Sequence, residues 1–463
     1  MRIPTITKTL LLSTAVVLAG CVSPALELSQ QVAQQANREQ LQLPVLPTTL
    51  SSDSSAAVKG LLQQSLSFQS VAQIAVLNNP DFLAAMAALN VSKADLQQAG
   101  LLPNPGLSIS RNRGEEGYET ELEFGFDLFG LLFRKHNLAI AQQQANQQQY
   151  QLAELLVALV AQSRLALAEA VTAEQRLNYL LQVQEAIDAS AELANRMYQV
   201  GNYSPLQQAR AQKYAAEVKL QLAQAQQQQV QSREALYRQL GLWGGDLALQ
   251  LPTQLPDLPN SLPSVPDAEQ LALSQRLDLQ QARASLAAMA AQLELTQSSR
   301  FLRGLDAELS GSAQHSDSRS LTLGFELPLF DRHSARLTKV QAQLQQQFYL
   351  AQAKAVNARS EVRMNQATLA QNYAIARHYQ QQLVPLAKRI NQENVLRYNG
   401  MLIGVFELIA DTQAQVDTIT AAMQALNNFH QARIRFEQSL WGAAAPTSSA
   451  QPEASSAAAP AGH

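Results

Sequence analysis

The stretch Gly117-Tyr118-Glu119-Thr120-Glu121-Leu122-Glu123-Phe124-Gly125-Phe126-Asp127-Leu128-Phe129-Gly130 decides the fold. Tyr118, Thr120, Leu122, Phe124, Phe126 and Leu128 alternate with Glu119, Glu121, Glu123, Gly125 and Asp127, the two-residue period of a strand with one apolar and one acidic face. Just upstream Leu107 and Ile109 alternate with Ser108 and Ser110, and Gly114 to Gly117 supplies a hairpin turn. A second pair is expected from Leu305 to Ala313 and from Leu321 to Leu327, where Leu321, Leu323, Phe325 and Leu327 stand opposite Thr322, Gly324 and Glu326. Strands of ~9–11 residues with one apolar face suit a lipid-facing barrel. Four strands cannot enclose a lumen. Either several chains pool their strands, leaving Glu119, Glu121, Glu123, Asp127, Glu308 and Glu326 towards water in a pore, or the four form a small soluble sheet with a solvated acidic face.

Downstream of the first hairpin, no Pro or Gly interrupts Leu131 to Tyr198, which at ~1.5 Å per residue predicts a helix of about 100 Å. Leu152, Leu156, Leu159, Ser163, Ala166, Ala170, Ala173, Leu177, Leu180, Gln184, Ile187, Ala191, Ala194 and Tyr198 keep a four-three spacing. That is a heptad seam whose alanines allow close helix approach. Gln-rich runs at 142–149, 224–229 and 341–347 keep other faces polar and nearly uncharged, as a solvated surface or as the lining of an aqueous tunnel. A second long helix is expected from about Arg332 to Tyr398, kinked or divided at Pro385. Both end in Gly-containing turns, near Gly201 and near Gly404, so each half closes as a helical hairpin.

The two halves are duplicates. Asn79-Pro80-Asp81-Phe82 returns as Arg276-Leu277-Asp278-Leu279, the Leu128-Phe129-Gly130 end of the strand returns as Leu329-Phe330-Asp331, and Arg196-Met197-Tyr198 returns as Leu396-Arg397-Tyr398. Each repeat reads helix, two strands, very long helix, helix, giving a mainly α fold with a small β part. The repeats are placed at 68–240 and 267–440, joined by a Pro/Gly-rich linker over 241–266 that no helix can cross. Residues 21–67 are expected to be an extended tether, and 441–463, rich in Ala, Ser and Pro, a disordered tail.

At the N-terminus Arg2 and Lys8 precede an apolar run of about ten residues, too short to cross a bilayer that needs ~20. Residues 1–20 read as an export signal. Leu18-Ala19-Gly20-Cys21 resembles a lipobox, which implies lipidation of Cys21; an ordinary signal peptide followed by a free cysteine is the alternative. No other run of 18 wholly apolar residues occurs, so any crossing of a membrane falls to β-structure.

Composition removes other classes. Net charge is −3, against a nucleic-acid partner. One Cys excludes an internal disulfide framework and thiolate zinc sites, and the six scattered His form no HExxH or HxH pair. Neither a GxSxG elbow nor a GxxxxGK[ST] loop occurs, so no enzyme, cofactor site or nucleotide motor is expected.

Taken with Leu102-Pro103-Asn104-Pro105, Leu383-Val384-Pro385-Leu386 and Gly404-Val405-Phe406-Glu407-Leu408, these landmarks make residues 68–440 resemble the TolC family of outer-membrane efflux channels. The resemblance implies a homotrimer with a twelve-stranded barrel in outer-membrane lipid, continued as a periplasmic α-helical barrel. It implies docking of the hairpin tips on a periplasmic adaptor (membrane fusion protein) and an inner-membrane pump, so that the chain is a passive export duct in a tripartite system for metal cations or drug-like compounds. It places a periplasmic entrance gate near Gly201, Gln207, Gly404, Glu407 and Asp411, although Ala410 stands where a second acid is common. For Glu407 and Asp411 the alternative is plain solvated helix surface. The competing reading of the chain is a lipid-anchored periplasmic coiled-coil scaffold or adaptor without a pore.

Overall fold

A computed structural model describes residues 53–102, 104–114, 117–244, 249–262, 265–298, 306–312, 319–324 and 334–442. Cys21, Glu326, the signal segment and the tail beyond Gly442 lie outside the described residues. In chain order the elements are α1 (Asp53–Leu62), α2 (Phe68–Asn78), α3 (Pro80–Gly100), β1 (Gly106–Gly114), β2 (Gly117–Asp127), α4 (Leu128–Gln199) and α5 (Pro205–Leu240). The second half supplies α6 (Ala268–Gln275), α7 (Leu277–Ser298), β3 (Asp306–Ser312), β4 (Arg319–Gly324), α8 (Ser334–His378), α9 (Val384–Asn399) and α10 (Val405–Trp441).

The central helix α4 has 72 residues and so runs ~108 Å. It begins three residues before the expected Leu131 because the Asp127 carboxylate accepts a hydrogen bond from Gly130 N and closes the first turn. Its heptad seam faces inward: Leu156, Ala170, Leu180 and Ala194 are essentially sealed, and Ser163 satisfies its hydroxyl on the Val160 carbonyl. An 18-residue window of α4 has a mean hydropathy of 1.5, but two-thirds of it is buried within the fold, the signature of a core helix. α4 packs on α5 and α3 of its own half and on α7 and α10 of the other. The main core gathers Val71, Ile74 and Phe82 from the first repeat's short helices, Leu236 and Leu240 from α5, and Phe429, Phe436 and Trp441 from α10. A second cluster, Leu180, Val183, Ile187, Tyr214, Val218 and Val416, continues towards the hairpin tips.

The duplicated Asn-Pro-Asp and Arg-Leu-Asp signatures occupy equivalent joints. Asn79 caps α3 by accepting from Phe82 N, while its Nδ2 donates to Gln239 O and Asn78 Nδ2 donates to Leu240 O and Gly241 O. In the second repeat the buried Arg276 guanidinium donates to Asp278, Glu361 and the Ser439 carbonyl, each near 2.9 Å. Burial opposes its charge, yet the two carboxylates outweigh burial and hold its pKa above the ordinary value. Gly241 and Gly442 end α5 and α10 with φ of 64° and 82°, and each lies so close to its joint that a Cβ would meet Asn78 O or the Asp278 carboxylate.

Three expectations are corrected or refined. The segment 21–67 is not uniformly extended: α1 occupies 53–62 because Val58, Leu62 and Leu66 are buried against the main core, and Leu66 N donates to Gln250 O. The second long helix is divided just ahead of Pro385, as expected, into α8 and α9. A π-turn at Tyr379–Leu383 absorbs the missing donor, with Val384 N reaching back to Tyr379 O. Finally, α10 extends one residue past the repeat boundary placed at 440. Between the repeats the described residues 241–244, 249–262 and 265–266 strap across α8 and α10, where Tyr373 Oη donates to Pro259 O and His430 Nε2 lies 2.8 Å from Pro256 O.

Candidate channel sheet and helical tips

The four strands form one antiparallel sheet in the order β1-β2-β3-β4, so β1 and β4 are both open edges. Register puts Leu107 opposite Phe124, Ile109 opposite Leu122, and Phe124 opposite Leu309, with Leu309 opposite Leu321. These belong to one alternate set. The other set pairs Ser108 with Glu123, Ser110 with Glu121, Asn112 with Glu119, and Glu308 with Gly125 and Thr322. The expected acids Glu119, Glu121, Glu123 and Glu308 therefore share a face, and Ser108 Oγ donates to Glu123 Oε2 at 2.6 Å across it. Asp127 has a different task, since its carboxylate caps α4 instead of standing free on the strand.

Among the described residues, the apolar set of the first hairpin is exposed. Leu107 is 57% exposed, Ile109 66%, and Leu122 and Phe124 39% each, a contiguous apolar face on an edge-open sheet. Water is a poor neighbour for such a face; a hydrocarbon surround matches it. The sheet stands at the start of α4, while the tips lie at the other end of the same helix.

At the first tip, Gly201 takes φ of 79°, and Asn202 N and Tyr203 N both donate to Met197 O. Ser204 and Gln207 then form a reciprocal capping box at the start of α5. Gln207 is thus a capping residue. At the second tip Met401 occupies the left-handed region with φ of 58°, a conformation that costs a side-chain-bearing residue about 1 kcal/mol or more. Gly404 stands where Ser204 stands in the first repeat and gives no side-chain cap to α10. Glu407 is consequently an exposed carboxylate in the first turn, favoured by the helix dipole. Asp411 differs, because it accepts a hydrogen bond from Asn394 Nδ2 and ties α10 to α9. The structure thus brings Glu407 and Asp411 to one helix but gives them separate roles.

Sequence reasoning missed the polar ties inside the helical body. Glu169 on α4 accepts from Gln228 at 3.0 Å, Asn427 at 2.8 Å and Gln431 at 3.0 Å, joining three helices through one carboxylate. Gln229 likewise donates to Glu174, so part of the Gln-rich run 224–229 serves helix packing. Glu154, half-buried on α4, has its pKa pushed up to about 7, first by burial and then by Asp278, against the pull of Lys354 and Arg276. Among the described residues, no group of three His, Cys, Asp or Glu is placed to hold a metal.

A family model described as outer membrane efflux protein matches residues 71–242, the whole of the first repeat's strand and long-helix unit. That segment is similar to the outer membrane efflux protein family. Solved structures agree on the fold over most of the chain's length. The Campylobacter jejuni CmeC outer membrane channel is similar with a TM-score of 0.68 at 15% identity, covering 81% of this chain and 86% of that one. The Vibrio cholerae outer membrane protein VceC gives 0.64 at 18% identity, with 84% and 96% covered. The open state of the Neisseria gonorrhoeae MtrE outer membrane channel gives 0.63 at 18% identity, with 82% and 90% covered. No curated protein sequence matches the chain significantly. The TolC-like resemblance of the sequence is therefore borne out, by the family match over the first repeat and by the fold over most of the chain.

Proposed function

We propose that this chain is the outer-membrane exit duct of a tripartite efflux system, in which three copies pool their sheets into a twelve-stranded barrel and their long helices into a periplasmic tunnel. One observation carries the reading: a four-stranded sheet with two open edges and an exposed apolar face, held at the head of a helix of ~108 Å. Pairing β4 of one copy with β1 of the next removes every edge and gives the apolar face to lipid. Glu119, Glu121, Glu123 and Glu308 then line the lumen and favour cations there.

In this reading Cys21 carries the lipid anchor. The tips around Gly201 and Gly404 meet a periplasmic adaptor, with Glu407 lining the entrance and an inner-membrane pump supplying the energy. The cargo is a metal cation or a drug-like compound, chosen by the pump. Planar-bilayer recording of the purified chain is the test. Cation-preferring single-channel currents, with the preference weakened in Glu121→Gln, support the duct. Its competitor, a pore-less periplasmic scaffold, gives no current in either protein.

A further inference from the structure

The lipid-side face of the sheet changes character towards the hairpin turns. Register places Arg113 opposite Tyr118 and Arg111 opposite Thr120, in the same alternate set as Leu107, Ile109, Leu122 and Phe124. The Arg111 guanidinium lies over the Tyr118 ring at 4.4 Å from its centroid and that of Arg113 at 5.8 Å. β4 opens with Arg319, in the same alternate set, beside the second hairpin turn. The carboxylates of these strands, Glu119, Glu121, Glu123, Asp127, Asp306 and Glu308, fall in the opposite set. Charge is thus sorted by face: the cations share the apolar side, the anions the other.

Depth decides what the cations meet. The apolar positions of β2 centre on Phe124, and at ~3.3 Å per residue with a strand tilt of ~40° each residue pair climbs ~5 Å through a bilayer. That sets Arg111 ~10 Å and Arg113 ~15 Å above the middle of an apolar band ~25 Å tall. Both guanidiniums therefore reach the headgroup layer, on the side away from the helices, with Tyr118 as the interfacial aromatic.

We propose that Arg111, Arg113 and Tyr118 form a binding surface for the net-anionic, phosphomonoester-bearing lipid headgroups of the outer leaflet. Guanidinium forks match phosphate oxygens bidentately, and among the described strand residues no carboxylate shares their alternate set. The proposal rests on the barrel reading above.

The test is the thermal midpoint of purified detergent trimers, wild type and Arg111→Gln/Arg113→Gln, with added lipid A, phosphatidylcholine or inorganic phosphate. The expected result is equal trimer yield for both proteins, and a lipid A-induced rise in midpoint for wild type that falls at least twofold in the variant. Phosphatidylcholine and inorganic phosphate should leave both unchanged. An equal lipid A shift in both proteins, or an equal response to inorganic phosphate, overturns the headgroup surface while leaving the barrel standing. Absence of trimers in wild type overturns the barrel and this proposal with it.

Discussion

Replacing Phe124 by Arg places a cation at the centre of the apolar face, between Leu107 on one side and Leu309 on the other. On a barrel strand that substitution costs about 2–4 kcal/mol per copy at mid-bilayer, so three copies lose about 6–12 kcal/mol of assembly. Nearer the interface the same side chain costs ~0–1 kcal/mol, so Thr120→Arg, one residue pair towards the turn from Leu122, should be mild. Ser108→Arg is the matched control at nearly the same depth, because Ser108 faces Glu123 on the acidic side. The assay is the fraction of heat-resistant trimer in outer-membrane fractions, read by gel mobility before and after boiling. Phe124→Arg should abolish the trimer band while Thr120→Arg and Ser108→Arg keep it. Wild-type trimer yield in Phe124→Arg, or equal loss in Ser108→Arg, would refute the assignment of faces.

Asn79→Ala removes the cap on Phe82 N and the bond to Gln239 O, and should lower stability by about 1–3 kcal/mol in a denaturant titration. Gly241→Ala meets both a left-handed backbone and the Asn78 carbonyl, so a loss of about 1–3 kcal/mol is expected, whereas Gly60→Ala, in open space on α1, should gain up to ~1 kcal/mol. Glu154 binds its proton more tightly when folded, with a pKa of about 7 against an ordinary 4.5. The folded state thus holds the extra proton between those values, and stability should fall as pH rises through that window. Thermal midpoints measured between pH 5 and 8 should decline for wild type and stay flatter for Glu154→Gln; parallel profiles would contradict the assignment.

What the sequence made legible follows from periodicity. Alternation over Tyr118 to Leu128 is a local signal, and it located β2 and both faces correctly because a strand's side chains are sorted by parity alone. The uninterrupted run after Leu131 and its heptad seam exposed α4 for the same reason. Long-range chemistry was not legible. Arg276 meets Ser439 and Glu169 meets Asn427 only because the fold joins distant helices, and nothing in either neighbourhood announces the pairing. Asp127 was read as one more acid in an alternating strand, although its place three residues before Gly130 is also that of a helix cap. Glu407 and Asp411 were distinguished by Asn394, seventeen residues from Asp411 on the preceding helix. The basic rim at Arg111 and Arg113 became visible only with the β1–β2 register, which a hairpin sequence fixes once its turn is known.

Covalent capture of the two open edges tests the shared barrel most directly. Cysteines at Ser108 on β1 and Thr322 on β4 share the lumenal set, and one sheet separates them by the width of β2 and β3. Treated in native membranes with a short bismaleimide, the double variant should give covalent species that stop at a closed trimer, while either single variant gives none. Monomers alone, or a ladder running past three copies, would contradict the account.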